Sequence, residues 1–140
     1  MEYDIAPASV ETTVLLVDDN PMIVRALSFG LCRRGFKVLT AGNGHEAAAI
    51  MASSQKIDLL FSDVVMPGGM SGVELARTSL GIRPGLPVLL TTGYAYDVLE
   101  SMGADKGEFQ IVTKPYSIND LVSRIHALLP ADPAEAPLKL

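Results

Sequence analysis

The sequence predicts a doubly wound α/β domain, a parallel sheet covered by helices on both faces. Three observations carry that prediction. Short apolar runs without polar alternation recur along the chain: Val14–Val17, Ile57–Phe61, Val88–Leu90 and Ile111–Val112, with Lys37–Ala41 as a weaker fifth. Such runs suit strands buried on both faces, which a parallel sheet requires. Helical patterns lie between them, and that alternation builds repeated βαβ units. The composition agrees. With no tryptophan, 6% aromatic residues and plentiful Ala, Val, Leu and Gly, it suits closely packed helix–sheet layers better than a β-sandwich.

Five helices are expected. In the first, Met22, Ile23, Ala26, Leu27, Gly30 and Leu31 repeat at three and four, and Gly35 stops the helix. Asn43 to Ser54 is an alanine-rich second helix. Val73 to Leu80 is a third, with Ser71 placed as its N-cap. A short fourth spans Tyr96 to Met102 and ends at Gly103. The fifth, Ser117 to Leu129, sets Leu121, Ile125 and Leu128 on one face. No internal repeat is visible.

At 140 residues with 49% apolar and 19% charged residues, the chain suits one globular domain with a real core. We place it at residues 12–129, with residues 1–11 and the Pro/Ala/Glu-rich 130–140 read as flexible tails. The net charge of −5 gives no broad attraction to nucleic acid, so none is expected as a partner. Cys32 is the single cysteine, which excludes an intrachain disulfide and a four-cysteine metal site. Its helical setting suggests a half-buried structural thiol. The start of the chain lacks a positively charged segment leading into an apolar run, so it does not read as a signal peptide. Nothing approaches the ~18 continuous apolar residues of a membrane span. A cytoplasmic protein without membrane contact is the expectation.

The chemistry-bearing residues gather at strand ends. Asp18 and Asp19 directly follow the first apolar run, and Asp63 directly follows Ile57–Ser62. Doubly wound sheets bind ligands outside the carboxyl ends of their strands, where the strand order reverses. If the first and third strands are neighbours there, three carboxylates converge. Such a cluster repels itself, and a hard divalent cation such as Mg²⁺ is the obvious remedy. One aspartate at a strand end is more simply a helix or turn cap; two strands ending this way point to a site. Two further ends add to it. Val88–Leu90 runs into Thr91-Thr92-Gly93, and Ile111–Val112 into Thr113-Lys114-Pro115. A phosphoryl group on Asp63 needs metal on one side, and a hydroxyl and a cation on the other. Thr92 and Lys114 supply those two, although a solvated surface lysine is the plainer reading of Lys114 alone.

Other signals carry less. Gly42-x-Gly44-x-x-Ala47 imitates a dinucleotide fingerprint, but the first strand ends in two aspartates that repel pyrophosphate. The glycines read as a turn and a helix start. His45 and His126 are too isolated for a zinc site. Arg33-Arg34 complements the dipole of the first helix or belongs to a docking face.

The segments VLLVDDN, LLFSDVVMPGGMSG, LPVLLTTGY and VTKPYS, in this order, resemble the receiver domains of response regulators and hybrid histidine kinases, in motif style the hybrid kinases most. The resemblance covers about residues 12–129. It implies a flavodoxin-like strand order 2-1-3-4-5, Mg²⁺ as cofactor, and a histidine kinase or histidine phosphotransferase as partner. Asp63 resembles the phosphoacceptor. Asp19, Asp63 and the backbone carbonyl of Val65 correspond to direct metal ligands, and Asp18 to a ligand acting largely through water. Thr92 resembles the switch threonine and Lys114 the lysine that pairs with the phosphoryl group. The Lys114–Pro115 bond is expected to be cis. Such a domain catalyses only its own phosphorylation and dephosphorylation, and switches protein–protein interactions.

Departures from the family pattern bear on the switch. Ile111 stands where an aromatic residue is common, and the Met66–Gly72 loop is one residue longer than the usual form. Tyr94 and Val65 flank the expected path of attacking water, which implies slow self-dephosphorylation; a packing role for Tyr94 is the alternative. A phosphorylation-independent interaction module and an aspartyl-phosphate phosphatase are competing classes. The phosphatase needs an acid/base carboxylate soon after its nucleophile, where this chain has Val64-Val65-Met66.

Overall fold

A computed structural model describes residues 11–93 and 108–130. They form five strands, β1 (Thr13–Val17), β2 (Lys37–Ala41), β3 (Leu59–Asp63), β4 (Val88–Thr92) and β5 (Gln110–Thr113). Four helices accompany them among the described residues: α1 (Pro21–Cys32), α2 (Gly44–Met51), α3 (Gly72–Ile82) and α4 (Ile118–Leu128). The short helix expected at Tyr96–Met102 lies outside the described residues, as do Tyr94 and most of both expected tails.

All strand pairs are parallel, in the order β2-β1-β3-β4-β5. The chain runs outward from β1 to β2, then returns past β1 to β3, so the order reverses between β1 and β3. There the carboxyl ends of two neighbouring strands face one crevice.

The sheet divides the core in two, because successive strand side chains point to opposite faces. Leu15, Val17, Leu60, Val88 and Leu90 meet α2 and α3 through Ala47, Met51, Val73, Leu75 and Ala76. Val14, Leu16, Leu59, Phe61, Leu89 and Val112 meet α1 and α4 through Leu31, Leu121 and Ile125. β1, β3 and β4 are buried at every position, which explains their lack of polar alternation. Truncating one of their leucines to alanine costs about 2–5 kcal/mol in such a core.

Local chemistry sets the helix limits. The Asn20 side chain accepts from the Met22 and Ile23 amides, and Pro21 opens α1 with a fixed φ and no donor to satisfy. The chain leaves that helix through Gly35 at φ 91°, as the glycine stop predicts. Ser71 and Glu74 form a reciprocal capping box on α3, and Ser117 and Asp120 do the same on α4.

Two expectations need correction. Met22 and Ala26, grouped by spacing with the inward positions of the first helix, face solvent, and Met22 is 80% exposed. Leu27 and Leu31 of that pattern do turn inward, joined by Val24, which the pattern left out. Cys32, expected to be half-buried, is exposed. The first helix carries two apolar stripes, and periodicity alone does not say which one meets the sheet.

Candidate functional site

The site forms where β1, β3 and β5 end. Val17 lies in register with Ser62, so Asp18 leaves β1 level with Asp63 at the end of β3. Asp18 and Asp63 are buried, at 4% and 8% exposure, while Asp19 is exposed. One carboxylate oxygen from each of the three lies within 4.8 Å of the others. On the opposite side Lys114 Nζ stands 3.1 Å from Asp63 Oδ2. Lys114 is placed by the strand ladder, its amide donating to the Thr92 carbonyl at 2.9 Å. The Lys114–Pro115 peptide is cis, as expected.

Backbone groups fix the carboxylates further. Asp18 Oδ1 accepts the Asn20 amide at 2.9 Å, and Asp63 Oδ1 accepts the Val65 amide at 3.3 Å. Behind Asp63, Gly72 packs so closely that an added Cβ would lie 2.2 Å from the Asp63 carbonyl oxygen. Thr92 is buried at the end of β4, one residue beyond the register partner of Asp63. Val65 is partly exposed two residues past Asp63.

The structure thus brings Asp18, Asp19, Asp63 and Lys114 together, with Thr92 and Val65 on the adjoining segments. Three carboxylates against one ammonium leave the cluster two negative charges in excess. Burial raises the Asp18 carboxyl above its usual range, and the neighbouring Asp63 and Asp19 charges raise it further. The Asn20 amide and Lys114 act in the opposite sense. An all-oxygen donor set with surplus negative charge fits a hard divalent cation such as Mg²⁺.

Residues 14–126 match the sequence profile described as the response regulator receiver domain. The chain belongs to the response regulator receiver family. Among relatives of this receiver, the probable transcriptional regulatory protein TcrX of Mycobacterium tuberculosis is 41% identical over 119 residues, covering 84% of this chain and 49% of that protein. The alkaline phosphatase synthesis transcriptional regulatory protein PhoP of Bacillus subtilis is 32% identical over 124 residues, covering 89% and 51%. This chain therefore spans about half the length of those relatives.

Solved structures agree on the fold. The receiver domain of the hybrid histidine kinase CckA superposes with a TM-score of 0.70 at 30% identity, covering 84% of this chain and 99% of that one. The chemotaxis protein CheY4 of Vibrio cholerae gives 0.76 at 29% identity, covering 86% and 100%. The expectation of no nucleic-acid partner finds no support here, since TcrX and PhoP are named as transcriptional regulatory proteins. Among the described residues no helix is long and apolar enough to cross a membrane.

Sequence reading did not single out Asn20, whose amide holds Asp18 and whose side chain starts α1. Its place directly after the aspartate pair was the available signal.

Proposed function

We propose that this receiver takes a phosphoryl group onto Asp63 from a phosphohistidine on a histidine kinase or histidine phosphotransferase. The observation that carries this reading is the buried Asp63 carboxylate, flanked by two further carboxylates and by the Lys114 ammonium. An Asp63 carboxylate oxygen attacks phosphorus in line, the P–N bond to the imidazole breaks, and the imidazole departs with the bonding electron pair. The products are an acyl phosphate and a histidine ready for another cycle.

Asp18, Asp19, Asp63 and the Val65 carbonyl would hold Mg²⁺, which supplies charge neutralisation at the phosphoryl oxygens. Lys114 pairs with a phosphoryl oxygen and loses its contact with the unmodified Asp63 carboxylate. Thr92 donates its hydroxyl to another. Both side chains then have different partners in the two states, and that difference biases the surrounding surface toward or away from protein partners.

Incubation with Mg²⁺ and acetyl phosphate, followed by intact-mass measurement, tests this. One phosphate adduct, abolished by Asp63→Asn, is the expected result. Absence of any adduct favours an interaction module that works without phosphorylation. Multiple turnover of diverse phosphomonoesters favours a phosphatase.

A further inference from the structure

The loop between β3 and α3, which begins beside Asp63, is held from outside by the start of α2. His45 Nε2 stands 3.1 Å from the Gly68 carbonyl oxygen. A carbonyl only accepts, so Nε2 carries the hydrogen and donates it. Among the described residues this is the one hydrogen bond that reaches residues 66–70. Beside it Gly44 packs against Met70, where an added Cβ would lie 2.8 Å from the Met70 Cγ. The loop thus rests on the first two residues of α2.

That base is itself fixed. The Asn43 side chain accepts the Glu46 amide at 2.8 Å, and the Glu46 carboxylate accepts the Gly42 amide at 2.8 Å. The Ala41 carbonyl accepts the Asp18 amide at 3.2 Å. One turn therefore touches both carboxylate-bearing segments, the one after β1 and the one after β3. Helix chemistry does not account for His45. The first turn of a helix favours acidic side chains, and Asn43 already supplies the cap.

The position of the loop matters to the site. Val65 opens it, and the Val65 amide donates to Asp63 Oδ1. The Val65 carbonyl accepts no hydrogen bond among the described residues, so it is open to a cation. Farther along, the turn at Gly68-Gly69 has φ values of 98° and 89°, and glycine loses the most backbone freedom on ordering. A donor on Gly68 offsets that loss before the metal arrives.

We propose that His45 is a positioning residue, which pins the β3–α3 loop and so keeps the Val65 carbonyl available to Mg²⁺ at the carboxylate cluster. It touches neither metal nor phosphoryl group. This inference rests on the metal site of the proposed function.

The test titrates Mg²⁺ alone into the full chain and two variants, followed by the amide NMR shifts of residues 63–65. His45→Phe keeps a ring and removes the donor; its dissociation constant for Mg²⁺ should rise about five-fold, the worth of one hydrogen bond. His45→Gln restores an N–H at similar reach and should bind within about two-fold of the parent. Both variants should melt within about 4 °C of the parent without metal, since His45 is exposed, and this separates lost positioning from lost fold. In saturating Mg²⁺, His45→Phe should form the acetyl phosphate adduct at the parent rate, because the lost contact acts on the metal and not on the nucleophile. Mg²⁺ binding by His45→Phe as tight as the parent's would overturn the assignment. So would a His45→Gln variant as weak as His45→Phe, or a His45→Phe rate that stays low in saturating Mg²⁺. A parent that binds no Mg²⁺ overturns the metal reading and the role of His45 together; a parent that binds it with unchanged variants overturns His45 alone. A missing adduct on a parent that binds Mg²⁺, with the expected ranking of the variants, overturns the phosphoacceptor reading and sustains His45.

Discussion

Replacing Gly72 by alanine sets two physical effects against each other. Gly72 is the first residue of α3, and helix propensity favours alanine over glycine by up to about 1 kcal/mol. Packing says the reverse. The new Cβ would lie 2.2 Å from the Asp63 carbonyl oxygen and 2.8 Å from the Val64 Cα, where ordinary contact begins near 3.4 Å. The difference, 3.4 − 2.2 = 1.2 Å, must be taken up by backbone at the end of β3. The Gly72 amide also donates to the Val64 carbonyl at 2.8 Å, so the same movement strains that bond. Overpacking costs about 1–3 kcal/mol, and a clash with backbone belongs at the upper end. The net is a loss of about 2 kcal/mol, or roughly 4–8 °C in melting temperature for a domain of this size. Urea unfolding followed by circular dichroism measures the stability, and intact mass after acetyl phosphate treatment measures the site. A displacement of Asp63 approaching 1 Å would slow adduct formation by up to about a hundred-fold. A variant with an unchanged or higher urea midpoint would refute the packing account and leave propensity in command.

Three further outcomes are expected. The folded Asp18 carboxyl holds its proton to a higher pH than an ordinary aspartate, whose pKa is 3.8, so its contribution to stability declines as pH rises from there through the raised value. Mg²⁺ should therefore raise the melting temperature near neutral pH, and the gain should shrink as pH falls toward about 4. Asp18→Asn should melt higher than the parent without metal and respond less to it; an undiminished Mg²⁺ response in that variant would count against the cluster as the binding site. Lys114→Ala removes an ion pair that is partly open to solvent, so stability should change by less than about 1 kcal/mol in denaturant titration. Adduct formation should nevertheless fall by about ten-fold or more, because the lost cation faces the developing phosphoryl charge; equal rates would remove Lys114 from the mechanism.

Much of this protein was legible before folding because its signals are local. Unbroken apolar runs marked β1, β3 and β4, since strands covered on both sides have no solvent face to make polar. Gly35 and Ser71 fixed helix limits through backbone conformation and capping, which depend on a few neighbouring residues. Asp18, Asp19, Asp63 and Lys114 were found because strand ends in a doubly wound sheet converge whatever the loops do.

What needed the tertiary structure was every choice between equivalent local options. The first helix offers two apolar stripes, and only docking on the sheet buries Leu31 while leaving Met22 and Cys32 outside. Gly72 looks like any helix start until the Asp63 carbonyl is seen within reach of its absent Cβ. The sequence by itself determined which elements form and which charged groups stand at their ends, because those follow from periodicity and backbone chemistry. The tertiary structure decided which faces meet and how closely backbones approach, because burial is a property of surfaces brought together from distant parts of the chain.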